Sequence, residues 1–228
     1  MRSGLRWRTI ARHASGARRG PVGWTGLALV GAGGVGLAVY YNIEKEKRQS
    51  QATTKQTTYG KPDLGGKWTL VSANSGLPVT DASYLGKYTL LYFGFSRCPD
   101  ICPAELVKVG EVLSLLDAKK NPPEVQALFV SLDPNRDSIE QLRYYASDFD
   151  DRIDFLIGTP DQVKIAGKNY RVYSSVAAGD EDTDDYLIDH SIVLYLNGPD
   201  GDFLDFFTQS TSARDVAGGI MKHHANRK

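Results

Sequence analysis

The chain has 228 residues, of which 41% are hydrophobic and 24% charged, so it can form a globular core and is not wholly disordered. Lys plus Arg and Asp plus Glu each number 27, so the formal net charge is zero and lacks the basic excess of a typical nucleic-acid binder. Two cysteines are too few for a disulfide-stapled mini-protein, and only two methionines, Met1 and Met221, exclude a methionine-rich metal site.

The first 41 residues have the composition of a targeting segment followed by a membrane anchor. Residues 1–21 carry six arginines with Ser and Ala between them and no acid, which is typical of a mitochondrial transit peptide. Residues 22–41 are uncharged and, as a helix, would span about 30 Å, the thickness of a bilayer core. Aromatic residues are typical of the two membrane–water interfaces, and this run has Trp24 near one end and Tyr40 and Tyr41 at the other. We therefore predict a single transmembrane helix rather than a secretory signal, for which the run is too long.

The charges on either side of this predicted helix indicate its orientation. Six arginines precede it, whereas the EKEKR segment that follows is nearly neutral, so the N-terminus should stay on the matrix side. The remaining chain would then lie in the intermembrane space, as in a single-pass protein of the mitochondrial inner membrane. Ala28, Ala32 and Gly36 form a ridge of small residues that can pack two helices into a homodimer, although such residues are common in membrane helices anyway.

A folded domain is predicted after the anchor. Residues 42–62, rich in Lys, Gln, Thr and Ser, are interpreted as a solvated linker, and residues 63–228 as the domain. There, apolar runs of strand length alternate with helical patterns and an antiparallel hairpin closes the chain, which favours an α/β unit of thioredoxin-like topology. The predicted strands lie at 88–96, 125–134, 155–159, 191–196 and 202–207, and the predicted helices begin near Pro103, Ser138, Asp161 and Ser212.

The longest run of charge is the acidic segment GDEDTDDY at 179–186. A run of this kind is usually a solvated surface insertion, which we favour. The alternative is a docking face for a basic partner.

Both cysteines lie where the buried strand 88–96 gives way to a helix, in Cys98-Pro-Asp-Ile-Cys102. This spacing lets the two sulfurs point the same way, and a helix N-terminus lowers the pKa of a nearby thiol. Such a pair can bind a soft metal or form a redox disulfide between Cys98 and Cys102. A structural disulfide or two unrelated buried thiols are the alternatives, but a loop this short gives little stabilisation.

Four histidines are present, and one of them draws attention. His13 lies in the transit segment, and His223 and His224 lie in a basic C-terminal tail. His190 is placed at the start of the apolar strand 191–196, from which a buried neutral imidazole could reach the cysteine loop. A lone histidine in such a position is more often a core residue than a ligand, so the cysteine motif is what makes it a candidate.

Three stretches, FGFSRCPDICP, FVSLDPNRD and DYLIDHSIVLYLNGPDGDFLDFF, resemble the signatures of the Sco/SenC family, copper-handling assembly factors for cytochrome c oxidase. The resemblance extends over about residues 63–222. It implies copper ligation by Cys98, Cys102 and His190, and a role for Asp133 in receiving copper. It further implies a chaperone rather than an enzyme, supplied by an upstream copper donor of the intermembrane space and delivering to cytochrome c oxidase subunit II.

The implied ligands agree with elementary coordination chemistry. Cysteine and histidine suit Cu(I), with Cu(II) as the other oxidation state, and three ligands leave room for a partner thiolate. Zinc in a Cys₂His site with an open position is the alternative metal. The absence of a usable methionine argues against a blue-copper electron-transfer site.

Two other functions stay open at this point. The chain could be a thiol–disulfide oxidoreductase or thiol peroxidase, with Cys98 as nucleophile and Cys102 as resolving thiol, and such an enzyme would not need His190. It could also be a redox or copper sensor. Asp133 is expected to be an exposed carboxylate that guides a basic donor, or else a turn-stabilising residue near Arg136.

Overall fold

A computed structural model describes residues 64–180 and 185–227, together with nine separate residues between positions 28 and 45 that are helical. The transit segment 1–21, most of the span 22–41 and all but two residues of the linker 42–62 lie outside the described residues, so these predictions stay predictions. Among the helices that the described residues form, none is both long and apolar enough to cross a membrane. The chain divides into two units, Met1–Gln56 and Thr57–Lys228.

The described residues of the second unit form nine strands, four helices and a 3₁₀ turn over Asp81–Tyr84. The strands are β1 (Thr69–Ser72), β2 (Pro78–Thr80), β3 (Tyr88–Gly94), β4 (Val125–Ser131), β5 (Ile153–Ile157), β6 (Ser174–Asp180), β7 (Asp185–His190), β8 (Val193–Asn197) and β9 (Phe203–Thr208). The helices are α1 (Ile101–Asp117), α2 (Ile139–Ala146), α3 (Pro160–Asn169) and α4 (Ala213–Ala225).

Seven of these strands form one sheet in the order β2-β1-β5-β4-β3-β8-β9. The three central strands, β3, β4 and β5, are parallel, whereas β1 and β8 pair with them antiparallel. The continuous apolar sequence of β3 is explained by this position, because all seven of its residues are buried between layers on both faces. The strands β6 and β7 form a separate two-stranded sheet.

The two faces of the central sheet carry different helices. Leu90 and Tyr92 point to the face on which α1, α2 and α4 pack, and the alternating Leu91 and Phe93 point to the face covered by α3. Ser138 caps α2 as predicted, since its hydroxyl accepts a hydrogen bond from the amide of Gln141. The predicted strands, helices and closing hairpin are all present, with ends that differ by a few residues.

Two regions differ from the prediction: the strands β1 and β2 were not predicted, and the segment around His190 is arranged differently. His190 does not begin a strand but ends β7, where it pairs with Ser174 of β6. The hairpin of β6 and β7 was not predicted, because Ser174–Asp180 lacks the apolar alternation of a half-buried strand. Residues 179–180 and 185–186 of the acidic segment belong to these strands, and residues 181–184 lie outside the described part of the chain.

Candidate metal centre

The cysteine pair lies at the carboxyl end of β3, where the chain turns into the N-terminus of α1. Cys98 is in the connecting loop and half-buried, whereas Cys102 is the second residue of α1 and fully buried. The side chain of Asp100 at the N-cap makes no capping hydrogen bond. The Cys98 sulfur fills that role instead, because the amide of Cys102 donates to it over 3.5 Å. Both cysteines are free thiols in the structure.

His190 reaches this pair from the other sheet, although 88 residues separate it from Cys102. Its Nε2 lies 3.6 Å from the Cys102 sulfur, and its Nδ1 lies 3.1 Å from the carbonyl oxygen of Ser191. Since a carbonyl can only accept, Nδ1 carries the proton and donates to it. Nε2 then presents its lone pair to the thiol, which is the tautomer that binds a metal ion.

The environment makes the two thiols unequal. The pKa of Cys98 is lowered to about 5, chiefly because the Cys102 thiol donates a hydrogen bond to it, with further donation from the amides of Cys102, Ile101 and Asp100. The pKa of Cys102 is raised, because it holds the shared proton and is buried. The apo site at neutral pH is therefore one thiolate hydrogen-bonded to one thiol.

Aromatic residues enclose the site on its inner side. The hydroxyl of Tyr92 donates to the Cys102 sulfur over 3.5 Å, and burial raises the pKa of Tyr92, so this donor stays protonated. The rings of Phe95 and Tyr92 meet the His190 imidazole edge-on, with centroids 5.8 and 6.1 Å away. Of the three predicted ligands, Cys98 is the most exposed, since Cys102 and His190 are both buried.

Two residues that position the site were missed by the sequence analysis. A Cβ on Gly94 would lie 2.8 Å from the Cys102 sulfur and 2.9 Å from Phe129, so only glycine lets the sulfur pack against β3. The buried carboxylate of Asp137 accepts from the hydroxyls of Ser96 and Ser131, which ties the cysteine loop to β4. The glycine within an apolar strand was the one available signal of a close approach.

Of the two roles expected for Asp133, the structure agrees with the second, a turn residue close to Arg136, and not with the first. Asp133 is 2% exposed rather than an exposed carboxylate, so the expectation of an accessible docking group is wrong. Its carboxylate pairs with Arg136 and accepts from the hydroxyl of Tyr186 in β7 over 2.7 Å. Arg136 also donates to the Tyr186 carbonyl and stacks on its ring at 3.5 Å. Asp133 is buried because its ion pair with Arg136 anchors the hairpin that carries His190. A role of Asp133 in receiving copper from a donor stays a prediction.

Cys98 and His190 thus both approach Cys102, but the three side chains do not yet surround one position where a metal ion could bind. Across the residues that the structure describes, no three His, Cys, Asp or Glu side chains are already arranged to hold a metal ion. His223 and His224 do not reach this site: the former pairs with Asp205, and the latter lies against Tyr88.

Comparison with known proteins identifies the family of this chain. The model of the SCO1/SenC family matches residues 56–225. This chain belongs to the SCO1/SenC family. It is 41% identical over 208 residues to the human protein SCO1 homolog, mitochondrial, a match that covers 91% of this chain and 68% of the relative.

Solved SCO1/SenC structures share the fold. The copper-bound crystal structure of yeast Sco1 is 43% identical, with a TM-score of 0.67, and the match covers 72% of this chain and 90% of that one. Copper-bound ScoI of Arabidopsis thaliana is 36% identical, with a TM-score of 0.66, covering 72% of this chain and 99% of that one. The predicted α/β fold of thioredoxin-like type is therefore confirmed.

Proposed function

We propose that this chain is a copper chaperone, which binds one copper ion through Cys98, Cys102 and His190 and passes it to a protein partner. The observation that carries this proposal is the meeting of the three side chains around Cys102, whose sulfur lies 3.6 Å from Nε2 of His190. Two sulfurs and one imidazole are the donors that Cu(I) prefers. The copper bound in the yeast and Arabidopsis relatives supports the same reading.

Binding requires a small rearrangement of the donors. The proton that Cys102 shares with Cys98 must leave, and the metal ion takes its place between the two sulfurs. Cys98 is the donor free to adjust, because it is half-buried in a loop, whereas Cys102 and His190 are held by surrounding side chains. A three-coordinate ion keeps one open position, and on the Cys98 side a partner thiolate can enter it before the ion leaves.

The cellular part of the proposal follows from the family. Copper would come from an upstream donor chaperone and go to the copper site of cytochrome c oxidase subunit II. The human and mouse relatives are named as mitochondrial, which supports a place in that organelle. In this proposal, residues 22–41 hold the protein in the inner membrane, and the domain carries copper in the intermembrane space without acting as an enzyme.

Copper stoichiometry of the purified full chain tests the site. We expect one Cu(I) per wild-type chain, loss of tight binding in Cys98→Ser and Cys102→Ser, and weakened binding in His190→Ala, in which both sulfurs remain. His223→Ala is the matched control and should bind like wild type, because that histidine pairs with Asp205 away from the site. Full copper occupancy in Cys98→Ser would refute the proposal.

A second function is favoured by one observation, the lowered pKa of the half-exposed Cys98 beside a buried thiol. The Cys98 thiolate could attack a client disulfide, and Cys102 could then displace the client, leaving it reduced and leaving a Cys98–Cys102 disulfide. A thiol–disulfide oxidoreductase of this kind would keep its activity in His190→Ala. If His190→Ala reduced disulfides at the wild-type rate while it bound copper more weakly than the wild type, the two functions would be separated.

A further inference from the structure

A basic groove lies beside α3, bordered by the loop after β4 and by the segment that leads into β6. Its volume is about 760 Å³. We name it the α3 groove. Its apolar lining includes Val163 and Val172, and Tyr173 contributes an aromatic ring. Its positive charge comes from Lys164, Lys168 and Arg171. The copper proposal uses none of these residues.

The charge of the groove is opposite to that of the domain around it. Residues 64–228 contain 16 Lys and Arg against 24 Asp and Glu, a net charge of −8. Five other basic residues pair with neighbouring acids, as Lys87 does with Glu124, whereas Lys119 and Lys120 lie exposed and form no ion pair among the described side chains. Among the described side chains, no carboxylate forms an ion pair with Lys164, Lys168 or Arg171. Three unpaired cations in one groove on an acidic domain favour an acidic ligand.

The groove also offers apolar contact. Tyr173 is 62% exposed at its edge, and tyrosine and arginine are the residues that protein interfaces enrich. Val163 is buried below, and Val172 is partly buried. A ligand that combines negative charge with an aromatic or aliphatic side chain would therefore fit both parts of the lining.

The α3 groove is connected to the candidate metal centre through a short hydrogen-bonded path. The amide of Tyr173 donates to the Ser191 hydroxyl over 3.2 Å, and the amide of Ser191 donates to the Tyr173 carbonyl over 3.1 Å. The Ser191 carbonyl in turn accepts from Nδ1 of His190. The backbone of Tyr173, at the edge of the groove, is thus hydrogen-bonded to the residue that follows a proposed copper ligand in the sequence.

We infer that the α3 groove docks an acidic segment of the protein with which this chain exchanges copper. The segment places carboxylates on Lys164, Lys168 and Arg171 and an apolar side chain against Val172 and Tyr173. This inference rests on the proposed function, since the docked segment belongs to the protein that exchanges copper with this chain. A protein segment is favoured over a membrane or a nucleic acid, because the net charge of −8 on the domain repels extended anionic surfaces.

Peptide binding to the purified full chain tests the inference. The probe is a fluorescein-labelled peptide, Glu-Asp-Phe-Asp-Glu, and its Kd is measured by fluorescence anisotropy at several salt concentrations, with EDTA present. The test variant is Lys164→Glu with Lys168→Glu. The matched control is Lys119→Glu with Lys120→Glu, which makes the same change in charge at exposed lysines after α1. Tyr173→Ala tests the apolar contact separately.

We expect the Kd to rise about tenfold or more in the test variant and to stay within about twofold in the control. Tyr173→Ala should raise the Kd about threefold without changing its salt dependence. Equal peptide binding by the test variant and the control would overturn the inference, as would binding only to phosphatidylglycerol vesicles or to an oligonucleotide.

The same samples separate this inference from the proposed function. The test variant should still bind one Cu(I), and Cys98→Ser should still bind the peptide. If the wild-type chain bound copper but not the peptide, the docking role of the α3 groove would be contradicted and the copper proposal would not. Peptide binding that depends on the groove, in a chain that binds no copper, would contradict the copper proposal alone.

Discussion

Cys98 and Cys102 share one proton, and the helix N-terminus determines which sulfur keeps it. The amides at the start of α1 point to Cys98, whereas Cys102 is enclosed by Tyr92 and His190. The charge therefore resides on the sulfur that solvent can reach. In the proposed function, a partner that brings copper would first meet a thiolate, and the buried thiol would lose its proton only as the metal enters.

This distribution predicts the pH dependence of alkylation in the reduced, metal-free protein. The pKa of Cys98 near 5 means that the thiolate forms as pH rises through 5 and is complete by neutral pH. The iodoacetamide rate at Cys98, followed by mass spectrometry, should therefore be flat from pH 6.5 to 8. An ordinary thiol, with a pKa near 8.5, would instead react about tenfold faster for each pH unit there.

Cys102→Ala is the control for that measurement, because it removes the main hydrogen bond that lowers the pKa of Cys98. The midpoint should move upward in this variant. A wild-type rate that climbs steadily between pH 6.5 and 8 would show that the shared proton does not stabilise the thiolate.

A substitution at Gly94 tests how closely the Cys102 sulfur packs against β3. Gly94→Ala places a methyl group 2.8 Å from that sulfur and 2.9 Å from Phe129, both in the buried core. We expect the free energy of unfolding in urea to fall by about 1–3 kcal/mol, with weaker copper binding. Gly218→Ala in α4 is the control, since a Cβ there meets nothing within 4 Å, and it should stabilise by about 0.5–1 kcal/mol. Equal stability of the two variants would contradict the close approach.

At the scale of elements, the hairpin of β6 and β7 brings His190 to the cysteines. This hairpin pairs with no strand of the central sheet, so its attachment depends on side chains. Tyr186 makes that attachment through its hydroxyl to Asp133 and through its ring and carbonyl to Arg136. The loop after β4 and the metal ligand on β7 are thereby joined.

Substitutions in this attachment should affect both stability and copper binding. Asp133→Asn removes the buried carboxylate that pairs with Arg136, so we expect a loss of about 3–5 kcal/mol in the free energy of unfolding. Tyr186→Phe removes one hydrogen bond to a charged group and should cost about 1–3 kcal/mol. Unfolding in urea gives the stabilities, and competition with a Cu(I) chelator gives the affinities.

The double variant Asp133→Asn with Tyr186→Phe completes a double-mutant cycle, which measures the interaction energy of this pair. Because the two side chains contact each other, the double variant should lose less stability than the sum of the single variants. If Asp133→Asn slowed loading only from a donor protein and not from the chelator, the docking role first expected of Asp133 would be supported instead.

The sequence predicted the central elements because each carries its own local pattern. Apolar runs identified β3 and β4, and Ser138 identified the start of α2. The hairpin of β6 and β7 has no such pattern, so the sequence suggested the approach of His190 to the cysteines only through a strand start that the structure does not have, and its role as a ligand came from the resemblance. The burial of Asp133 depends on Tyr186, 53 residues away, and a contact over that separation leaves no local signal.

For the whole molecule, the unequal charge of its two ends leads to a prediction about topology. Residues 1–48 carry nine Lys and Arg against two Glu, whereas residues 64–228 have a net charge of −8. With the N-terminus retained on the matrix side, the domain should face the intermembrane space. Protease added to mitochondria with ruptured outer membranes should digest it, with a matrix protein as the protected control. Protection until the inner membrane is lysed would contradict this orientation.

The copper-loaded protein gives the most direct test of the proposed ligands. X-ray absorption at the copper edge of the purified full chain, loaded with one equivalent of Cu(I), reports the number and type of donor atoms. We predict two sulfur donors and one imidazole nitrogen, with the imidazole signal lost in His190→Ala and retained in His223→Ala. A site with sulfur donors alone in the wild type, or with an imidazole signal that survives in His190→Ala, would contradict ligation by Cys98, Cys102 and His190.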